Sequence, residues 1–249
     1  LGPVRHANIL RTIMNIGIVC YPTFGGSGVV ATELGIALAA KGYKIHFITY
    51  RQPARLDFFS ENIYYHEVVV NDYPLFDYAP YELALTSKIV DVAKFEKLDL
   101  LHVHYAIPHA SAAYFAKQIL ASENISLKII TTLHGTDITL VGKDATFEPV
   151  VRFSINQSDG VTAVSQSLKN DTIKFFHPTK EIEVIPNFVD IKRFEIKPKD
   201  YFKKAITTGT EKLLVHTSNF RKVKRVEDVV YIFKKVSEKI PAKLIFVGD

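Results

Sequence analysis

Residues 16–40 read IGIVCYPTFGGSGVVATELGIALAA, and this stretch decides the fold. The apolar run at 16–20 is typical of a buried strand, and the pattern at 29–40 predicts a helix that ends at Lys41-Gly42. Gly25-Gly26-Ser27-Gly28 lies between them. Because the first N–H groups of a helix are unpaired and carry partial positive charge, this order of strand, glycine-rich turn and helix predicts an anion site. The spacing differs from G-x-G-x-x-G, so the segment carries no dinucleotide fingerprint.

The composition is that of an ordinary globular protein, and its mild positive charge suits a solvated basic surface or, as the alternative, an anionic small-molecule substrate. The chain has 249 residues, 47% hydrophobic and 23% charged, which suits one large domain or two smaller ones. The net charge of +5 comes from scattered Lys and Arg, so we expect no nucleic-acid partner. No apolar run approaches the roughly 20 residues of a membrane span, so we expect no membrane partner. The single cysteine, Cys20, favours a reducing, cytoplasmic compartment. A homo-oligomer is compatible with these features.

Short β-branched runs alternate with helical patterns, which predicts βαβ units and a parallel sheet. We expect residues 14–189 to form a first Rossmann-like domain that binds the acceptor, and residues 1–13 to be a leader or a cloning remnant. The predicted strands lie at 16–20, 44–49, 63–69, 100–104, 128–133, 160–164 and 183–185, and the predicted helices at 29–40, 80–95, 109–121 and 165–176.

A second pattern begins after a lysine-rich linker, predicted at 190–211 with a peripheral helix. Residues 212–249 then predict a strand at 213–217, a helix at 226–238 and a strand at 243–247. One strand-helix-strand unit cannot cover its own sheet. We therefore expect this to be the first βαβ unit of a second, truncated Rossmann-like domain that binds the donor. The predicted fold class is α/β.

Polar side chains follow three predicted strands at their carboxyl ends. The glycine segment follows the first strand, HVHYAIPH at 102–109 spans the end of the fourth, and TTLHGTD at 131–137 spans the end of the fifth. Open α/β sheets bind ligands at this edge, so we expect the three loops to share one crevice.

The histidines of these loops raise the question of a metal. His102 and His104 lie on one face of a strand, but zinc needs a third protein ligand and a fixed second shell, so packed sheet histidines are the better interpretation. His134 differs, because Gly135 allows close approach and Asp137 is expected to orient the imidazole. A histidine that caps a turn is the alternative for His134. We expect no metal.

A cationic loop, defined as residues 218–225 (SNFRKVKR), lies between a predicted strand and a predicted helix. Four cations precede the first acid, Glu227, and suit a diphosphate; a solvated basic turn is the alternative. No D-x-D pair supports magnesium chelation, so the cations are expected to neutralise a leaving group in place of a metal.

Together these segments resemble the retaining glycosyltransferases of family 4. The resemblance rests on residues 25–35, 102–110, 131–139 and 218–230 and extends over nearly all of the chain from Met14. It implies the GT-B fold, with two Rossmann-like domains and a UDP-sugar as co-substrate without a further cofactor. It is strongest to members that transfer N-acetylglucosamine from UDP-N-acetylglucosamine to the hydroxyl of L-malate, the first step of bacillithiol biosynthesis.

The resemblance also implies roles for individual residues. The phosphate oxygen that departs from the sugar would take the acceptor proton, so no enzyme base is required. The implied catalytic residues are His134, Arg221 and Lys224. The implied acceptor-binding residues are Gly26, Ser27, Tyr105 and Thr132. The implied donor-binding residues are Gly25, Gly26, His134, Asn219, Arg221 and Lys224.

Two departures from the family pattern matter. Many members have Gly-Arg where this chain has Ser218-Asn219, so Arg221 replaces that arginine, or the charge comes from Lys222 or Arg225. The family's second domain also continues into a pair of glutamates that hold the donor. From this we expect the 249-residue chain alone to bind malate weakly and to lack transferase activity.

Other functions stay open on sequence alone. The first is a family 4 enzyme with another acceptor, such as an inositol phosphate or a lipid. The second is a nucleotide-sugar epimerase, for which Glu33 and Asp137 are the candidate acid-base residues. The third is a non-catalytic module that retains the acceptor site.

Overall fold

A seven-stranded parallel sheet forms the centre of the first of two units. The computed structural model describes residues 13–56, 60–71, 74–196 and 200–248, so residues 1–12 of the predicted leader lie outside the described residues. The first unit ends at Phe188 and the second begins at Val189. The strands of the first sheet are β1 (Asn15–Val19), β2 (Lys44–Thr49), β3 (Ile63–Glu67), β4 (Leu100–His104), β5 (Lys128–Leu133), β6 (Gly160–Ala163) and β7 (Ile182–Val184).

The order of these strands places the three polar loops side by side. The sheet runs β3-β2-β1-β4-β5-β6-β7, and every neighbouring pair is parallel. The strand order reverses between β1 and β4, which is the point where doubly wound sheets bind ligands. Strands β2, β4 and β5 match their predicted bounds residue for residue, and the other strands of this sheet agree within two residues.

Six helices accompany this sheet in the described part of the first unit. Ser165 caps the last of them as predicted, because its Oγ accepts a 3.1 Å hydrogen bond from the N–H of Leu168. The predicted helix at 109–121 is corrected, since residues 106–110 form a separate π-helical turn before it. The helices are α1 (Gly26–Ala39), α2 (Tyr81–Glu96), α3 (Ser111–Ser122), α4 (Thr136–Thr139), α5 (Glu148–Gln157) and α6 (Gln166–Phe176).

The start predicted for the first helix is wrong by three residues. Helix α1 begins at Gly26, with Gly25 as its N-cap, so most of the glycine segment is the first helical turn and not a loop. The low helix propensity of glycine hid this start. The change matters because the unpaired N–H groups of the helix are those of Gly26, Ser27 and Gly28 themselves.

Apolar side chains on both faces of the sheet hold the helices in place. On one face Ile18 and Phe47 pack in a cluster that includes Ala31 of α1. On the other face Val19 and Leu101 pack in a cluster to which α2 and α3 contribute. Burial of one such side chain stabilises a fold by about 1.5–3 kcal/mol. The two clusters therefore fix the helices against the sheet and hold the loops at its carboxyl edge in place.

The second unit is a small strand-helix-strand motif. Its elements are α7 (Asp200–Ile206), β8 (Lys212–Thr217), α8 (Val226–Ser237) and β9 (Ala242–Val247). Strands β8 and β9 pair in parallel from Lys212 opposite Ala242 to Thr217 opposite Val247. The predicted strands and helix are confirmed within one residue. In the described ranges, no helix is both long and apolar enough to cross a bilayer.

Candidate functional site

The first turn of α1 offers backbone donors at the carboxyl edge of the first sheet. The first intrahelical bond runs from the N–H of Val29 to the carbonyl of Gly25, at 3.1 Å, so the N–H groups before Val29 have no partner within the helix. A Cβ on Gly28 would lie 2.3 Å from the carbonyl oxygen of Tyr21, so the fold itself requires glycine there. A Cβ on Gly26 would meet nothing within 4 Å. The space beside exposed Gly26 is therefore open to a ligand.

Tyr105 connects this turn to the loop after β4. Its hydroxyl donates a 2.9 Å hydrogen bond to Oγ of Ser27, and its backbone has a left-handed φ of +88°. Its ring centroid lies 5.2 Å from that of His134, in the loop after β5. The three loops of the first unit therefore meet, as the sequence predicts. Tyr21, which the sequence analysis did not select, packs edge-on against Tyr105 at 5.3 Å; its place directly after the first strand was the available signal.

Four histidines form a cluster behind this surface. His102 stacks on His104 with ring centroids 4.6 Å apart, and His104 stacks on His134 at 5.1 Å. Burial lowers the pKa values of His102, His109 and His134 to about 4 and lowers that of His104 well below its ordinary range. All four imidazoles are therefore neutral at pH 7, and the cluster contributes hydrogen-bond donors and acceptors without charge.

The hydrogen bonds of the cluster assign the proton in three of the four rings, those of His104, His109 and His134. Nδ1 of His109 donates to the carbonyl oxygen of His104, and Nδ1 of His104 lies 2.8 Å from Nε2 of His134. Nε2 of His104 is buried without a partner in the described part of the chain. A buried N–H without an acceptor is costly, so His104 keeps its proton on Nδ1 and donates it to His134. Neutral His134 then carries its own proton on Nδ1, which makes that atom a donor.

The orienting role expected of Asp137 is wrong. Its buried carboxylate accepts from backbone groups: Oδ2 from the N–H of Ala106 at 3.0 Å, and Oδ1 from those of Gly135 at 3.0 Å and His134 at 3.3 Å. Burial raises the pKa of Asp137, and these N–H donors oppose that shift. His104, and not Asp137, contacts the imidazole. Asp137 instead ties the loop after β4 to the loop after β5.

Thr132 lies in a buried hydrogen-bond network beside the cluster. Its Oγ1 is 2.7 Å from Nε2 of His102 and 2.7 Å from Oγ1 of Thr162 on β6. Its role in binding the acceptor stays a prediction. Thr162 was missed by the sequence analysis, because only the pairing of β5 with β6, with Thr132 opposite Thr162, brings the two hydroxyls together.

The cationic loop belongs to the second unit and joins β8 to α8. The carbonyl of Asn219 accepts a 2.8 Å hydrogen bond from the N–H of Arg221, which begins the turn that leads to α8. The guanidinium of Arg225 pairs with Asp228. The exposed side chains of Arg221, Lys222 and Lys224 pair with no carboxylate among the described residues. Of the four cations in the predicted diphosphate site, these are the three whose charge is not offset by a neighbouring carboxylate in the described ranges.

Comparison with known proteins identifies the class of protein. The sequence profile of Glycosyltransferase Family 4 matches residues 24–193, more than half of the chain, and the chain belongs to that family. N-acetyl-alpha-D-glucosaminyl L-malate synthase of Bacillus anthracis is 53% identical over 244 residues, which cover 95% of this chain. The chain spans 61% of the length of that relative. The resemblance to family 4 is therefore confirmed.

Solved structures confirm the fold class. A glycosyltransferase from Rickettsia africae aligns with a TM-score of 0.72 at 18% identity over 96% of this chain and 61% of its own. Sucrose-phosphate synthase from Thermosynechococcus elongatus aligns with a TM-score of 0.68 at 16% identity over 94% of this chain and 62% of its own. The α/β fold predicted from the sequence, with the Rossmann-like sheet of GT-B glycosyltransferases, is confirmed.

Proposed function

We propose that this chain is the acceptor-binding part, with the start of the donor-binding part, of a retaining glycosyltransferase. The enzyme transfers N-acetylglucosamine from UDP-N-acetylglucosamine to the hydroxyl of L-malate. The observation that carries the proposal is the 53% identity, over 95% of the chain, to N-acetyl-alpha-D-glucosaminyl L-malate synthase of Bacillus anthracis. A reducing, cytoplasmic compartment is part of the proposal, supported by Cys20, because a sequence with one cysteine has no internal disulfide to protect.

The first turn of α1 supports a carboxylate-bearing acceptor. This turn supplies donors for an anion in its free N–H groups and in the hydroxyl of Ser27. The open space at Gly26 leaves room for the anion beside them. Since the hydroxyl of Tyr105 donates to Ser27, the proton of Ser27 is available to an acceptor atom of the ligand. We assign Gly26, Ser27 and Tyr105 to one malate carboxylate, with Thr132 lining the base of this subsite.

The proposed step exchanges one bond at the anomeric carbon for another on the same face. The bond from C1 to the diphosphate oxygen breaks, and a bond from C1 to the malate oxygen forms. The malate hydroxyl proton passes to the departing phosphate oxygen, so UDP leaves protonated at that oxygen. In the first unit, His134 donates a hydrogen bond to the sugar and Gly25 contacts the donor. In the second unit, Asn219 contacts the donor, and Arg221 and Lys224 stabilise the charge that develops on the diphosphate.

The two carboxylates considered for an epimerase support a transferase instead. Glu33 pairs with Arg55 at 3.1 Å, and Asp137 accepts three backbone N–H bonds. A general base must hold a lone pair within reach of the proton that it removes. Both carboxylates are committed to internal partners, which favours a reaction in which the leaving group acts as the base.

The acceptor assignment is tested with the enzyme expressed from its complete reading frame. UDP release is measured with UDP-N-acetylglucosamine and either L-malate or L-lactate, which keeps the hydroxyl and one carboxylate but lacks the second. We expect release with L-malate and little with L-lactate. Equal rates with both acids would contradict recognition of a dicarboxylate, and no release with L-malate would overturn the proposed function.

The donor assignment is tested on the cationic loop. Arg221→Gln and Lys224→Gln should each lower kcat/KM for UDP-N-acetylglucosamine by about 10- to 100-fold, the equivalent of the ~1.5–3 kcal/mol of a charged hydrogen bond. Arg225→Gln is the matched control, because this arginine already pairs with Asp228. A larger loss in Arg225→Gln than in the other two would assign the diphosphate to a different cation.

A further inference from the structure

A second cluster of metal-ligand side chains lies on the outermost strand pair of the first sheet, β2 and β3. His46 belongs to β2, His66 to β3 and Glu96 is the last residue of α2. The carbonyl of Glu96 accepts a 2.8 Å hydrogen bond from the side chain of Asn15, the first residue of β1. Glu96 therefore lies near the amino end of β1, and His46 and His66 are interior residues of the outer strand pair β2–β3, whereas the candidate glycosyl-transfer site follows the carboxyl ends of β1, β4 and β5.

The strand register brings the two histidines together. His46 pairs with Tyr64 and Ile48 pairs with His66, so His46 and His66 lie on one face of the sheet, two residues apart in register. Nδ1 of His46 is 3.0 Å from Nε2 of His66, and one ligand atom from each of His46, His66 and Glu96 lies within 4.8 Å of the others. His46 is 1% exposed, and its Nε2 has no hydrogen-bond partner in the described part of the chain.

The donor set of this cluster suits a borderline transition metal. Two imidazole nitrogens and one carboxylate oxygen, with a fourth position left open, are a recurrent set for zinc. Tetrahedral zinc with bonds of about 2.0–2.1 Å holds its ligand atoms roughly 3.4 Å apart. The His46–His66 separation is already close to that value. The half-buried Glu96 carboxylate makes no hydrogen bond or ion pair within the described ranges, so its side chain is free to rotate toward the two nitrogens.

A surface pocket gives the cluster a route to solvent. The pocket has a volume of about 640 Å³, and His66 and Glu96 both line it. Lys88 and Asp91 both line the pocket, so its wall carries one charge that opposes a cation and one that attracts it. Lys94, also in the wall, is neutralised by Glu123 at 2.5 Å. The pocket therefore provides an entry path and room for a water molecule as fourth ligand.

We propose that His46, His66 and Glu96 form a zinc site with one open position toward this pocket. In the metal-free protein Nδ1 of His46 and Nε2 of His66 share one proton, and the metal replaces that proton as the link between the two rings. His46 then carries its own proton on the buried Nε2, which has no acceptor in the described part of the chain, so we expect zinc to bind less tightly here than at a site with a complete second shell. The site joins the β2–β3 edge of the sheet to the end of α2. The zinc site is separate from the candidate glycosyl-transfer site, so its test does not depend on the proposed function.

The test uses the untagged chain, stripped of metal with a chelator and titrated with Zn²⁺ alone. We expect one zinc ion per chain, measured by calorimetry and by elemental analysis, and a higher Tm with zinc than without it. Co²⁺ in place of Zn²⁺ should give the visible absorption bands of a four-coordinate site. Absence of binding, or binding of zinc without a change in Tm, would overturn the proposal.

Three variants locate the metal. His66→Gln and Glu96→Gln should each weaken zinc binding at least tenfold, since loss of an outer-shell partner alone costs about 10- to 100-fold. Both positions are only partly buried, and unfolding of the metal-free variants by denaturant should match that of the metal-free parent. His134→Gln is the control in the other histidine cluster and should bind zinc normally. Loss of zinc in His134→Gln with retention in His66→Gln would place the metal elsewhere and refute the site.

Discussion

The hydroxyl of Tyr105 donates a 2.9 Å hydrogen bond to Oγ of Ser27 and thereby joins the loop after β4 to the first turn of α1. Burial raises the pKa of Tyr105, so this hydroxyl is a protonated donor at neutral pH. Ser27 is therefore the acceptor in the pair, and its own proton is directed to another group. The pair converts a helix start that attracts any anion into one with a side-chain donor held in a fixed place.

Removal of either hydroxyl of this pair should weaken acceptor binding. Ser27→Ala and Tyr105→Phe are each expected to raise KM for L-malate by about 3- to 10-fold, from a hydrogen bond worth roughly 0.5–1.5 kcal/mol. Because the two groups act through one contact, the double variant should lose less than the sum. Tyr114→Phe, whose ring packs against Phe153 outside the site, is the control. Additive losses would show that the two hydroxyls act separately.

The glycines of the first helical turn should respond differently to the same substitution. Gly28→Ala places a Cβ 2.3 Å from the carbonyl oxygen of Tyr21, so we expect a loss of about 1–3 kcal/mol in the free energy of unfolding. Gly26→Ala meets nothing within 4 Å and should leave stability unchanged while it weakens malate and UDP-sugar binding. Denaturant unfolding and substrate titrations distinguish the two effects. Normal substrate binding by Gly26→Ala would show that no ligand uses the space beside this residue.

The proton position on His134 should depend on His104. Nitrogen-15 NMR of labelled histidine is expected to show His134 neutral, with its proton on Nδ1. His104→Asn keeps an N–H donor near the position of Nδ1 and should preserve this tautomer, whereas His104→Leu removes the donor. In His104→Leu, kcat/KM for UDP-N-acetylglucosamine should fall about 3- to 10-fold, because His134 loses the hydrogen bond that fixes its proton position. An unchanged His134 tautomer in His104→Leu would contradict the assignment.

The neutral histidines should make stability depend on pH. Burial lowers the pKa of His109 to about 4, below the value near 6.5 of an unfolded chain, so the unfolded state binds more protons between these values. Stability is therefore full above pH 6.5 and falls as the pH drops toward 4. His109→Asn should flatten this dependence by up to ~1.4 kcal/mol per pH unit. His177→Asn, at an exposed position, is the matched control and should leave the slope unchanged. An identical slope for His109→Asn and the parent would contradict the effect of burial.

The carboxylate of Asp137 should matter for stability before it matters for chemistry. Asp137→Asn replaces a carboxylate oxygen that accepts N–H groups by an amide that donates, so we expect a loss of about 1.5–3 kcal/mol in the free energy of unfolding. Asp144→Asn is the control, since Asp144 also accepts a backbone N–H, that of Thr146 at 2.8 Å, but in an exposed turn. Equal stability of the parent and Asp137→Asn would show that the three backbone contacts are not required for the fold.

The sequence predicts the sheet well because its strands are defined by local composition. Strands β2, β4 and β5 are short runs rich in buried apolar residues, and their bounds follow from that pattern alone. Helix α5 was missed, although Pro149 in its first turn and Glu148 beside it were the available signals. The start of α1 was misplaced because glycine has a low helix propensity. In the structure the N-cap at Gly25 and the close packing of Gly28 determine where the helix begins.

The parts of the site that the sequence does not predict depend on contacts between distant segments. The loops were located correctly, since each follows a strand. The partners of Asp137 are backbone N–H groups, which every residue has, so no motif could single them out. The contact of His46 with His66 likewise depends on the register between β2 and β3. Side-chain identity shows which chemistry is available, and only the topology shows which atoms meet.

The tie that Asp137 makes has a consequence for how acceptor preference can change in evolution or by design. One carboxylate holds the backbone of Ala106, next to Tyr105, and the backbone of His134 and Gly135. Any substitution that moves one loop to fit a new acceptor must therefore displace the other, which is assigned to the sugar. Exchange of side chains at Ser27 and Tyr105, with the backbone left in place, is the route by which such an enzyme can acquire a new acceptor and keep its donor.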